Sequence, residues 1–178
     1  MLQIKVPLSP EGWDEEKQEF VMPKVQTLRL EHSLVSLSKW EEKWCKPFIS
    51  DTDKTTEETL DYIKCMTVTS NVDPEVYRHI TNDMVKEVTE YINAPMTATT
   101  FAKEENKKTI NGEKITSEII YYWMIALNIP FECRKWHLNK LITLIRVCSK
   151  KNEPPKKMTT AERRALNASR RKKHNTKG

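Results

Sequence analysis

Three groupings in this 178-residue chain have residue types that could do chemistry: an aspartate-rich loop, a Cys–His pair and a His–Ser dipeptide. Asp51, Asp53 and Thr55 alternate like the first ligands of a calcium loop. Such a loop also needs glycine at its sixth position and a bidentate glutamate at its twelfth, where this chain has Thr56 and Tyr62. No calcium site is expected there. Cys133 and His137 are four apart, which would put both on one helix face. Zinc sites pair two such close spacings, and only one is present, so the plainer expectation is a buried thiol beside a partly buried imidazole. His32-Ser33 and His79 lack the glycine-flanked turn and oxyanion loop that would make a serine or histidine catalytic. With three glycines in all, no glycine-rich loop exists to cradle a phosphate. The expectation is a non-enzymatic chain with no catalytic residue, no metal and no cofactor.

The elements that would position these groups are mainly helical. Leu2-Gln3-Ile4-Lys5-Val6 alternates up to Pro7 and Val25–Glu31 alternates again, which predicts a small N-terminal β-ribbon around a loop over Ser9–Lys24. Leu34, Leu37, Trp40 and Trp44 recur every three to four residues and predict a helix stopped by Pro47. Thr55 with Glu58 is a capping box, opening a helix with Leu60, Ile63 and Val68 inward. Asp73-Pro74 marks another start. Thr81 introduces a helix with Met84, Val85, Val88 and Ile92 on one face. Asn111-Gly112 is a hairpin turn, predicting a weak ribbon from Thr97–Ile110 and Glu113–Thr116.

Residues Ile119–Cys148 predict a central helical hairpin broken at Asn128-Ile129-Pro130. Ile119 to Leu127 is an unbroken apolar run, and a helix greasy on every face must be covered by core, membrane or partner. A membrane span needs about 20 apolar residues, and Pro130 stops this run near half that length, so no membrane role is expected. No basic stretch followed by an apolar run and cleavage site opens the chain, which argues against a signal peptide. Cys45, Cys65, Cys133 and Cys148 are then expected to be reduced, buried thiols. Trp40, Trp44, Tyr122, Trp123, Met124, Leu127, Trp136, His137 and Leu141 are candidate partner-binding residues. For the tryptophans the alternative is the core, with His137 or a backbone carbonyl accepting from a buried indole.

Charge divides the chain. Residues 150–178 hold eleven Lys/Arg and two Glu, a balance of +9, against −4 for residues 1–149. The reading is one helical domain over 1–149 and a basic tail over 150–178, helix-capable from Thr160 to Lys173 after Pro154-Pro155. Lys156, Lys157, Arg163, Arg164, Arg170, Arg171, Lys172 and Lys173 could neutralise phosphates without reading sequence. They are equally compatible with a solvated tail or with an acidic protein partner.

Four stretches together carry a resemblance: TLRLEHSLVSLSKWEEKW (27–44), APMTATTF (94–101), EIIYYWMIALNIPFECRKWHLNKLITLIRVC (118–148) and the terminal RALNASRRKKHNTKG. They resemble the tail assembly chaperone family of long-tailed (siphovirus-type) phages and prophages of Gram-positive bacteria. The resemblance spans most of the chain, and 118–148 is its most specific part. It implies a helical, self-associating protein that coats the tape measure protein, a long apolar helical client, before the tail tube polymerises. It also implies a location in the bacterial host cytoplasm and absence from the mature virion. A virion structural or head–tail joining protein, or a non-specific nucleic-acid binder using its basic tail, are the alternative functions.

Overall fold

The computed structural model describes residues 1–9, 12–14, 19–21, 24–50, 53–101, 109–110, 113–152 and 160–174. It is mainly α-helical, with a small antiparallel ribbon at the N-terminus. β1 (Leu2–Pro7) pairs with β4 (Val25–Leu30) in the register Leu2↔Leu30 through Pro7↔Val25. The two-residue period of a strand sends Ile4, Val6, Leu28 and Leu30 to one buried face.

Between these strands lies a correction to the sequence reading. The expected loop contains a second ribbon, β2 (Gly12–Asp14) with β3 (Glu19–Val21), in which Trp13 pairs with Phe20. Tryptophan, phenylalanine and valine favour strands, a preference masked in the sequence by the neighbouring acidic cluster.

α1 (Leu34–Trp44) is capped at Ser33, whose hydroxyl accepts from the Ser36 amide while the Ser36 hydroxyl accepts from the Ser33 amide. The helix is left at Cys45, in the left-handed conformation at φ 52°, two residues before Pro47. α2 (Thr56–Met66) opens with the expected reciprocal Thr55–Glu58 capping box. It closes earlier than the expected inward position of Val68 requires. From Thr67 the chain runs extended beside β4, Val68 N–H donating to the Arg29 carbonyl at 2.9 Å, so Val68 is exposed and Tyr62 and Met66 fill the core. Pro74–His79 forms a 3₁₀ turn capped by Asp73, and Thr81 caps α3 (Asn82–Asn93), with Val88 and Tyr91 buried. Of the expected ribbon near Asn111-Gly112, β5 (Thr109–Ile110) and β6 (Glu113–Lys114) are the pairing strands among the described residues; residues 102–108 and the turn itself lie outside them.

The hairpin comprises α4 (Ser117–Ala126), a 3₁₀ turn at Phe131–Lys135, and α5 (Leu138–Asn152). Cys133 and His137 thus fall on different elements, which corrects the expectation of a shared helix face. Of the four thiols only Cys133 is buried, and Cys45 is exposed. The chain divides into two compact units, Met1–Cys148 and Ser149–Gly178, and α6 (Thr160–His174) belongs to the second.

Two hydrophobic clusters fill the first unit. One joins the ribbon to Trp40, Tyr62, Ile63, Met66, Val76 and Val88. The other joins Leu34 and Leu37 to Ile120, Met124, Ile129, Leu138, Leu141 and Ile145. α1 is their common wall, because Leu34 and Leu37 face one cluster and Trp40 the other.

Glu41 ties the two sides together. Thr116, at the start of α4, makes no side-chain cap. The buried Glu41 carboxylate, 76 residues away, accepts instead from the Ser117 amide at 2.7 Å, and its other oxygen accepts from the Phe48 amide at 2.9 Å. A carboxylate at a helix N-terminus satisfies an orphan N–H and complements the dipole. Glu41→Ala is expected to destabilise the fold by about 2–3 kcal/mol, since it orphans two amides in the interior. Urea unfolding of both proteins measures this, and a change under about 0.5 kcal/mol, the scale of a surface substitution, would show the carboxylate to be dispensable.

Candidate partner-binding surface

The candidate surface follows from how α4 is anchored. Ser117, Ile120 and Met124 recur at three and four residues and are buried. At about 100° per residue, the opposite side of the helix is centred near Tyr122, with Ile125 toward its edge. Both are exposed, Tyr122 at 65% and Ile125 at 61%. Ile119, Trp123 and Leu127 lie half-buried along the flanks. The helix ends in a Schellman turn: Asn128, at φ 52°, donates to the Ile125 carbonyl at 3.1 Å and Ile129 to the Met124 carbonyl at 2.8 Å. This turn buries Ile129 beside Met124 and leads into the 3₁₀ segment, where Phe131, 49% exposed, stacks on Tyr121 with ring centroids 6.3 Å apart. Tyr122 and Ile125 therefore present apolar surface outward from a helix whose other side is locked into the core, and Phe131 of the 3₁₀ segment is exposed beside the half-buried Tyr121.

The expected partner-binding residues distribute unevenly. Tyr122 lies on this surface, and Trp123 and Leu127 border it half-buried. Met124 and Leu141 are fully buried in the second cluster, so they are core residues rather than surface anchors. Trp40 is equally buried, its indole N–H donating to the Glu58 carbonyl at 2.9 Å, with the Phe48 ring edge-on at 5.0 Å. Trp44 is half-buried and donates to Asp61 Oδ2 at 2.9 Å. Burial works to raise the Asp61 carboxyl, yet hydrogen bonds from Lys43 and Trp44 hold it below its ordinary range. Trp136 is 39% exposed, which corrects the expectation of a core indole, and the Lys140 ammonium sits 4.4 Å from its ring centroid. Ile125, Tyr121 and Phe131 were missing from the sequence reading. Their signal was present only as position: once Ile120 and Met124 are known to face inward, Ile125 must face out.

His137 belongs to a different, internal arrangement. Its Nε2–H donates to the Tyr91 carbonyl at 3.0 Å, and its Nδ1 accepts from the Asn139 amide at 3.3 Å, which fixes the neutral tautomer. His32 packs edge-on against it at 5.0 Å and places Nδ1 2.6 Å from the Tyr62 hydroxyl. Burial, reinforced by the neighbouring His137, pushes the His32 imidazole down to about 3 from its ordinary 6.5. Burial also lowers His137 and raises the Tyr62 phenol. The Leu138 amide donates to the His32 carbonyl at 2.9 Å, so the pair joins the start of α1 to the start of α5. Ser33, beside His32, is spent as the cap of α1. The pair is a structural seam.

The seam makes stability depend on pH in a definite direction. As pH falls below 6.5 the unfolded chain takes up a proton on His32 that the folded chain refuses until about 3. Stability present above 6.5 is therefore lost progressively on acidification, at about 1.4 kcal/mol per pH unit for this one group. Urea midpoints at pH 7.5, 6.5, 5.5 and 4.5 measure the slope, which His32→Gln should flatten. A midpoint constant from pH 7.5 to 5 would contradict the buried neutral imidazole.

Among the described residues, no three His, Cys, Asp or Glu side chains converge to hold a metal ion. No helix among them is long and apolar enough to cross a membrane. Arg163, Arg164, Arg170 and Arg171 are exposed on α6; Lys172 and Lys173 lie in its last turn, and Lys156 and Lys157 lie outside the described residues. Compared with protein-family models, with curated proteins and with solved structures, the chain matches none.

Proposed function

We propose that this chain is a non-enzymatic phage tail assembly chaperone that binds the tape measure protein in the bacterial host cytoplasm and is left out of the mature virion. The observation that carries the proposal is the outward apolar face of α4, with Tyr122 and Ile125 exposed side by side. Single exposed apolar residues are ordinary on protein surfaces, whereas adjoining ones mark interaction sites. A helix lying antiparallel to another needs this kind of surface, a stripe of anchors three and four residues apart. The resemblance at residues 118–148 points to a client of matching character, long, helical and apolar. Between clients the same face serves self-association, which keeps it out of water.

Co-expression with the tape measure protein tests the proposal. The client is expected in the soluble fraction with this chain and in the pellet without it. Equal insolubility in both cases would defeat the chaperone reading. Recovery of the chain from purified particles at fixed copy number would instead make it a virion structural or head–tail joining protein.

A further inference from the structure

The link between α4 and α5 reverses the charge of the body around it. Residues 1–149 balance at −4, yet the exposed charged residues from Phe131 to Lys140 are Glu132, Arg134, Lys135 and Lys140, three cations against one acid. A 3₁₀ segment has three residues per turn, so side chains three apart eclipse. Phe131 and Arg134 therefore share one row and Glu132 and Lys135 a second, while the buried Cys133 marks the inward row. The second row compensates its own charge. Arg134 instead shares its row with the ring that stacks on Tyr121. Burial raises the Tyr121 phenol, and the Arg134 guanidinium close by works to lower it. Beyond the turn, Lys140 holds its ammonium 4.4 Å from the centroid of the exposed Trp136 ring. Among the described residues no carboxylate forms an ion pair with Arg134 or Lys140.

The acid nearest the outward side of α4 is already engaged. Glu118 stands in the first turn, and hydrogen bonds from its own amide, the Thr116 hydroxyl and the Ser117 hydroxyl hold its carboxyl below its ordinary range. Residues four apart on a helix are neighbours, so Ile125 adjoins Tyr121, and Tyr121 adjoins Phe131. The apolar surface of α4 thus passes through two stacked rings into a cationic edge.

We infer that the helix seated on α4 is acidic along one flank, with an apolar stripe against Tyr122, Ile125 and Phe131 and a row of Asp or Glu beside it that meets Arg134. The inference rests on the reading that α4 holds a helical client, and it adds that client's charge. Arginine suits the task because its planar fork takes both oxygens of a carboxylate. Covering the rings excludes water around the pair, which strengthens the attraction. Complementary charge of this kind fixes register and rejects wrong partners more than it adds raw affinity. Single-stranded nucleic acid also stacks on aromatic rings, but it needs a basic groove that tracks its backbone. Here Glu132 lies among the cations and the aliphatic Ile125 lies among the rings.

Fluorescence anisotropy of two labelled helical peptides, each about six turns long, with the full chain tests the inference. The peptides share one leucine stripe at three- and four-residue spacing and differ in the flanking row, glutamate in one and lysine in the other. The glutamate peptide is expected to bind about tenfold tighter at low salt, a step of 1.4 kcal/mol. The preference should shrink with salt as the Debye length falls from about 30 Å at 0.01 M to 3 Å at 1 M. Arg134→Glu should bring the two peptides level or reverse their order. Lys5→Glu, on the ribbon, should leave the preference within about twofold, well inside the tenfold step. Both substituted residues are exposed, so the fold is expected to stand. Equal affinity for the two peptides, with both lost in the Tyr122→Asp, Ile125→Asp double variant, would overturn the inference and leave α4 as the site. An unchanged preference in Arg134→Glu overturns it too, as does tighter binding of oligothymidine or of phosphatidylglycerol vesicles. Absence of binding by both peptides also overturns it, and co-expression with the tape measure protein then decides the α4 reading on its own.

Discussion

Introducing aspartate at both Tyr122 and Ile125 is expected to abolish client binding while leaving the fold standing. Burying each side chain against a partner is worth about 1.5–3 kcal/mol, so losing both corresponds to roughly 100- to 20,000-fold in affinity. Both side chains already face water in the free protein, and exposed substitutions of this kind cost within about 0.5 kcal/mol of stability. Met124→Asp supplies the contrast, since it puts a carboxylate among the fully buried side chains of the second cluster and should unfold the first unit. The pair of outcomes separates binding from folding. Melting curves establish which variants remain folded, and retention of the client on the immobilised chain establishes which still bind. Equal client retention by wild type and by the double variant would remove α4 from the account.

Trp40→Ala is expected to be the most destabilising single truncation, at about 3–5 kcal/mol. Three contributions act in one direction. The indole is fully buried against Phe48 and Trp44, with centroids at 5.0 and 6.1 Å. Its N–H anchors the first turn of α2 at the Glu58 carbonyl. Its removal leaves a large cavity on the wall shared by the two clusters. For a domain whose whole stability is about 5–15 kcal/mol, such a loss takes most of the margin. Guanidinium unfolding followed by circular dichroism gives the number, and Trp40→Phe, which keeps most of the volume, should cost less than half as much. A loss below about 1 kcal/mol for the alanine variant would mean that the site collapses around it.

These two residues also show what the sequence could and could not convey. Local signals were sufficient where the physics is local. Thr55 and Glu58, three residues apart, specify a helix start that no other residue is needed to explain, and the spacing of Leu34, Leu37 and Trp40 sets both the extent and the inward face of α1. The ribbon between Leu2–Pro7 and Val25–Leu30 was legible for the same reason. From Ile119 to Leu127, by contrast, no period exists to be read, because every residue is apolar. Which of them faces out depends on Glu41, Leu34 and Leu37, remote in sequence, and that arrangement selected Tyr122 over Met124 for the surface. His32 and His137 are separated by more than a hundred residues and become one feature only when α1 and α5 start side by side. Val68 failed for a third reason. Helical spacing ends at Met66, where the chain changes to an extended, strand-like run beside β4.

The central claim is that the outward side of α4 is where the client sits, and site-specific photocross-linking addresses it most directly. A photoreactive phenylalanine analogue at position 122 replaces an exposed ring by one of similar size, and the same analogue at position 86, on the exposed side of α3, serves as comparison. On irradiation with the tape measure protein present, the account predicts a covalent adduct at position 122 and none at position 86. Equal adducts from both positions, or none from 122 while the client remains bound, would contradict it.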